Sequence, residues 1–401
     1  MQTKVLIFVV LLLSGLFPAF AIEQKLPTAY AESSDYSISY ADWDMVLSSV
    51  VLETGLSDRR PAGRSGTTIT SSRIRHGNTS VTAFEGNRVL FYKFNDEHVE
   101  QLLAIRRDLE AVTSFMPLER FSKNEQLAYW LNLHNIAVMI ELAKEYPVKK
   151  IRNLVTQDDG VWSAKTMSIN GVAISIRDIE RHVVANWNDP LVIYGFFMGA
   201  VGGPNIRATA FTGENVIKSL RNNAVEFVNS LRGYRVWSGQ GRVSEHYKLG
   251  SQYFENFDRD IKAHLLKYAL QNTRRIIEGV EKFRPDSYDW TIADLKGGDT
   301  FNGGSFNTSS ASLAFFLDGP GAGNALTAFN TGAFDKGRGT VPMQIRTFVQ
   351  AVQERYRRRA LNGEVTVEEY IDSDCARVTR KGKDDEVPVT PEEEDEEKPV
   401  I

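Results

Sequence analysis

An α+β fold is predicted by three features of the sequence. The stretch LAYWLNLHNIAVMIELAKEY, bounded by Ser122 and Pro147, reads as one long helix that is apolar nearly all round and therefore central. Asn170-Gly171 separates two short alternating segments, a strong signal for a two-residue hairpin. Residues 191–201 form an apolar run that reads as a buried strand, broken by Gly202-Gly203-Pro204. Together they predict a helix-rich layer around residues 122–146. It packs on a small, mostly antiparallel sheet that includes 168–176 and 191–201, with an irregular Gly-rich lobe at the C-terminal side.

Taken in order, MQTKVLIFVVLLLSGLFPAFA has a basic start at Lys4, a short apolar core and the small-x-small end Ala19-Phe20-Ala21. It reads as a signal peptide cut after Ala21, too short in its apolar run for the roughly 20 residues of a spanning helix. The expectation is an exported, soluble chain, periplasmic or secreted, without a membrane span. Residues 22–39 form a leader. Trp43, Val46, Leu47 and Val50 recur at helical spacing, and residues 54–82, with five arginines between Arg59 and Arg75, read as a basic surface insertion.

Residues 86–94 alternate as a short strand. Asn95 or Asp96 then caps a helix whose stripe is Val99, Leu102, Ile105, Leu109 and Val112. The long helix opens on the capping box Ser122-Lys123-Asn124-Glu125. Ser175 or Asp178 starts another over RDIERHVVANW. Helices at about 213–231 and 256–281, with strands around Tyr234–Val243, complete the domain. Near Pro285 the composition shifts: ten glycines fall in 297–339, and Phe-Asn-x-Gly-x-Phe occurs at Phe301–Phe306 and Phe329–Phe334. An amphipathic helix over 343–359 carries Ile345, Phe348, Val349, Val352 and Tyr356 on one face. Arg355, Arg357, Arg358 and Arg359 sit at its C-terminal end, where positive charge complements the helix dipole. From 372 the chain is an acidic tail with six consecutive acids, Glu392–Glu397, expected to be solvated and disordered.

The net charge of −4 argues against a nucleic-acid partner. Cys375 is the only cysteine, so no internal disulfide is available. No Gly-x-Ser-x-Gly elbow, phosphate loop, His-Glu-x-x-His or paired-cysteine spacing occurs. Asp178, Glu180 and His182 share one helix but show no further ligand, so neither a metal nor a cofactor is assigned. Asn132 and Asn135 share a face of the long helix, with His134 on another. Buried asparagines need partners, which are either loop backbone or a ligand.

Several motifs in a fixed order carry a resemblance. They are Glu125-Gln126-Leu127-Ala128-Tyr129-Trp130-Leu131-Asn132-Leu133-His134-Asn135 with Tyr146-Pro147, Trp162 ahead of the hairpin, Asp178-Ile179-Glu180, Asp189-Pro190, Pro204 to Arg207, Phe211-Thr212-x-Glu214-Asn215, and Ser251-x-x-Phe254-x-x-Phe257-x-x-Asp260. Over about residues 40–285 the chain resembles the family called domain of unknown function 547. Members of that family read "DPRIHFALNCGAVSCPPIR" where this chain reads DPLVIYGFFMGAVGGPNIR. The family's histidine falls on Ile193 and its two cysteines on Met198 and Gly203, so the motif is degenerate here. The histidine usual after Asp-Ile-Glu is Arg181, beside His182.

The resemblance implies a retained polar framework of Asn132, Asn135, Glu180, Arg207, Ser251 and Asp260. The first four are expected to line a cleft in which the arginine suits a carboxylate or phosphate. No catalytic role passes to Ile193, Met198 or Gly203, since nucleophilic catalysis needs a nucleophile and a base in reach. The expectation is a non-catalytic binding or scaffold domain for an unknown protein or a small anionic ligand. Two alternatives stay open: a hydrolase or transferase using Glu180 or Asp260 with His246 or His182, and a structural envelope component acting through the basic helix end and acidic tail.

Overall fold

The computed structural model describes residues 26–62, 80–298 and 343–362. The expected signal peptide, most of the basic insertion, the two Phe-Asn-x-Gly-x-Phe copies and the acidic tail lie outside the described residues.

The fold is α+β, and a single buried helix organises it. Helix α1 (Ala41–Val50) leads into β1 (Val51–Leu52), which pairs antiparallel with β2 (Arg88–Val89); α2 (Asp96–Phe115) follows. Its cap is reciprocal, Asn95 accepting from His98 N and the His98 ring from Asn95 N. Helix α3 (Lys123–Glu145) is buried at every position from Glu125 to Leu142, as its uniformly apolar sequence requires. α2 packs along one side of it, with the Tyr129 hydroxyl donating to Leu109 O at 3.1 Å. Only half of the expected capping box forms. Ser122 Oγ accepts from Glu125 N at 3.2 Å, but the buried Glu125 carboxylate turns to Ile38 N (3.1 Å) and Gly213 N (2.9 Å). Two loop N–H groups without other acceptors outcompete a helix end that water can reach.

A short α4 (Arg152–Thr156) precedes the expected hairpin, β3 (Met167–Ile169) and β4 (Val172–Ile174), with Asn170 and Gly171 both at positive φ. Ser175 caps α5 (Ile176–Asn186) in a full box with Asp178, and α5 lies on α3. Next come α6 (Val216–Val228), β5 (Tyr234–Trp237), β6 (Gln240–Ser244), α7 (Phe257–Tyr268), α8 (Gln271–Glu278) and β7 (Phe283–Ser287). The strand pairs are mostly antiparallel, but β7 joins β6 in parallel, giving a three-stranded sheet ordered β5-β6-β7.

One expectation fails. Residues 191–201 are not a strand: Pro190–Gly195 form a 3-10 helix capped by Asp189, whose side chain accepts from Leu191 N at 2.8 Å. Only Ala200 makes a lone bridge, to Ile292. The hairpin and this segment therefore share no sheet, and among the described residues the β-structure is three separate small sheets. The expected strand at 86–94 likewise shrinks to Arg88–Val89 before a 3-10 turn at Phe91–Lys93.

Just beyond β7, Ile292 and Ala293 join the main core, while Leu295 belongs to a second, smaller cluster. Ala293 N donates to Gly199 O (2.7 Å), Leu295 N to Val89 O (3.1 Å), and Ile292 is fully buried. Helix α9 (Met343–Asn362) lays Ile345, Phe348, Val349 and Val352 on Leu52, Leu90 and Leu295. Its arginines do more than complement the dipole. Arg355 is buried and donates to Phe84 O (2.8 Å) and Thr54 O (3.4 Å), while Arg358 pairs with Asp58 (2.6 Å). Among the described residues no helix is long and apolar enough to cross a membrane.

Candidate functional site

The expected cleft is interior. Asn132 brackets one residue of the loop before α6, donating to Phe211 O (2.7 Å) and accepting from Phe211 N (3.1 Å). Asn135 does the same for the 190–203 segment, donating to Gly195 O (3.1 Å) and accepting from Phe197 N (3.0 Å). Asn223 Nδ2 donates to Tyr194 O at 3.0 Å, and the ring nitrogen Nε2 of His246 meets Ile193 O at 2.7 Å. Side chains from α3, α6 and the 3-10 turn at Glu245–Lys248 thus take the backbone groups a neighbouring strand would otherwise satisfy. This is why the segment needs no sheet partner.

The sequence reading placed His134 apart from the asparagines, yet it joins them. Its Nδ1 lies 2.9 Å from Asn135 Oδ1 and its Nε2 3.2 Å from Glu180 Oε1. Asn135 Oδ1 can only accept, so Nδ1 carries the hydrogen in that bond. An acid–imidazole pair of this kind suits general acid–base work if substrate can reach it. Here it cannot: His134 is fully buried, Glu180 nearly so, and the Phe196 ring stands 4.8 Å from the imidazole. The pair was hidden in the sequence because its partners lie 46 residues apart.

The remaining framework residues are dispersed. Arg207 is half-buried on the loop before α6 and is engaged rather than free. Ser251 is exposed at the start of a 3-10 turn, and Asp260 holds the start of α7 by accepting from Asn256 N (2.8 Å) and pairing with Arg259 (2.6 Å). The pairs imagined for a hydrolase do not form, since Glu180 meets His134 and Asp260 meets Arg259. His182 is wedged 4.7 Å from Trp130 and hydrogen-bonds within its own helix, to Asn186. Burial pulls both His182 and His246 down to about 4. Asp178 is held below the usual carboxylate range by Lys165 and Ser175, despite partial burial. The Asp178-Glu180-His182 set is therefore split among three separate partners.

At the degenerate positions, Ile193 is fully buried and Met198 nearly so. A Cβ built on Gly203 would lie 3.4 Å from Met198 Cβ and 3.0 Å from the Tyr288 hydroxyl. Positions 198 and 203 are thus neighbours across the turn, close to the Cβ separation of about 3.5–4.5 Å in disulfides. The Tyr288 phenol, from a segment the sequence reading left unassigned, occupies the space beside the glycine. A groove of about 380 Å³ lies elsewhere, between residues 36–39 and the end of α2, lined by Tyr36, Ile38, Val112, Phe115 and Phe121 and by none of the framework residues.

Residues 118–228, which hold α3, the hairpin, α5, the 190–203 segment and α6, match the family model described as protein of unknown function, DUF547. The chain carries a DUF547 domain. No curated protein and no solved structure matches it. All the clamps from Asn132, Asn135 and Asn223, and the His134–Glu180 pair, fall inside the matched residues.

Proposed function

We propose that this chain is an exported, non-catalytic binding or scaffold protein built on a DUF547 domain. One observation carries the reading: the framework amides Asn132 and Asn135 spend their hydrogen bonds on loop backbone, and the positions that bear histidine and cysteine in the family pattern hold hydrocarbon and thioether in the interior. Such a site can position a surface but offers no nucleophile to a substrate. Export rests on the basic, apolar and small-residue order of residues 1–21. Protein recovered from its native source should begin at Ile22; an intact Met1 would contradict export.

The hydrolase or transferase reading has one observation in its favour, the contact of His134 Nε2 with Glu180 Oε1 at 3.2 Å. The two readings separate in a screen of chromogenic ester, phosphate and glycoside substrates. No turnover is expected; turnover lost in Glu180→Gln, at an unchanged melting temperature, would establish catalysis instead.

A further inference from the structure

The register of the three-stranded sheet places Arg235 opposite Arg242 and Arg242 opposite Arg284, so three guanidinium groups form one row across β5, β6 and β7. The alternate positions, Tyr234, Gly241, Val243 and Phe283, are buried, which assigns the arginines to the outward face. Like charges directly opposite one another destabilise a sheet. Asp286 pairs with Arg242, and Glu85 and Asp289 attract Arg235 without forming an ion pair, so Arg235 and Arg284 have no ion-pair partner among the described residues. The Nε atoms of Arg235 and Arg242 are buried and unpartnered. Lys282, next to Phe283 on β7, is already paired with Asp258 at 3.0 Å. Trp237, on the same face at the hairpin tip, is 67% exposed. A row of cations beside an open indole is a surface shaped for an extended anion.

The chain supplies one. Helix α9 ends next to this sheet: Arg358 pairs with Asp58, and the following residue, Arg59, donates to Tyr234 O, the first residue of β5, at 2.9 Å. About thirty residues separate Asn362 from the acidic run Glu392–Glu397. About thirty residues of chain can reach about 30 Å, so the run is long enough to return to the sheet. Strands about 4.8 Å apart make the arginine row roughly 10 Å long, which three or four extended residues of the run can follow.

We propose that Glu392–Glu397 docks on the Arg235–Arg242–Arg284 row of its own chain and masks an anion-binding face of the sheet. Tethering holds the acids at an effective concentration in the millimolar range, so an external polyanion must displace the tail to reach the face. The contact is between exposed charges and weakens with salt. It involves none of the interior residues on which the functional reading rests, so either can fail without the other.

The test uses the full chain. In a Cys375→Ser background, Pro391→Cys is labelled with bimane, a dye that tryptophan quenches on contact. Quenching at low salt is expected. The emission should rise severalfold in Trp237→Phe, in Arg235→Gln/Arg242→Gln/Arg284→Gln, in a variant with the six acids changed to amides, and in about 0.5 M salt. The arginine variant should stay folded, with a melting temperature close to the parent's, because the side chains it changes lie on the outward face of the sheet. Equal emission from the parent, Trp237→Phe and the arginine variant would overturn the proposal. So would quenching that disappears on dilution, which would place the tail on a second copy, or a polyanion that binds the parent and the amide variant equally well.

Discussion

The interior around α3 and the outer face of the β5-β6-β7 sheet both gather polar side chains, and they treat them oppositely. In the interior, Asn132, Asn135, Asn223 and His246 each meet backbone groups at hydrogen-bonding distance. On the sheet, Arg235 and Arg284 have no ion-pair partner among the described residues. Reciprocated polar groups stabilise a fold, whereas unanswered charge at a surface costs stability until something binds. The comparison shifts the search for function away from the family motif and toward the sheet.

The largest effect should come from acid. Burial lowers His182 and His246 to about 4 and His264 to about 3. Each folded value lies below the unfolded one near 6.5, so their contribution is complete above about 6.5 and is lost as pH falls toward 4 and then 3. Asp294 works in the other direction. Burial raises it to about 6 although Phe91, Lys296 and Gly298 N–H groups donate to it, so its protonation near pH 5 favours the folded state. A shift of one unit is worth about 1.4 kcal/mol, so the three histidines should outweigh it. Denaturant melts should show a net loss of several kcal/mol between pH 7 and pH 4, and a flat profile would break the picture of a sealed interior.

Asn135→Ala should follow, at about 3 kcal/mol or more, because it strands Gly195 O, Phe197 N and the His134 ring in a buried setting. A loss below about 1 kcal/mol would mean that the amide is spare and open to a ligand. A smaller effect is expected from Met198→Cys/Gly203→Cys combined with Tyr288→Phe, which clears the hydroxyl beside position 203. Thiol titration should find the pair oxidised, with a gain of at most about 3 kcal/mol for so short a loop. Two free thiols would show that the positions are not neighbours. Smallest of all, Arg284→Gln should move stability by no more than about 0.5 kcal/mol.

The sequence carried α3 in full, because a capping serine, an unbroken apolar run and a terminal proline all act locally. It also carried the 167–174 hairpin, where Asn170 and Gly171 alone can hold the positive φ angles the turn needs. The 190–203 segment was misread for a physical reason. A continuous apolar run reports burial without a period, and what decides strand against 3-10 turn is who bonds the backbone. Those partners, Asn135, Asn223 and His246, lie about 30 to 60 residues away. At the candidate site, the two asparagines were visible as buried amides in need of partners. Glu180 facing His134, Tyr288 beside Gly203 and the arginine row were not, since each depends on tertiary register.

The central claim is that side-chain amides stand in for a missing strand. Native-state hydrogen exchange at the Phe197 and Phe211 N–H groups tests it most directly. Both amides should exchange as slowly as those of α3, and Asn135→Ala should speed Phe197 well beyond the acceleration that the loss of global stability imposes on Phe211 and α3 alike. Fast exchange of both in the parent protein would contradict the account.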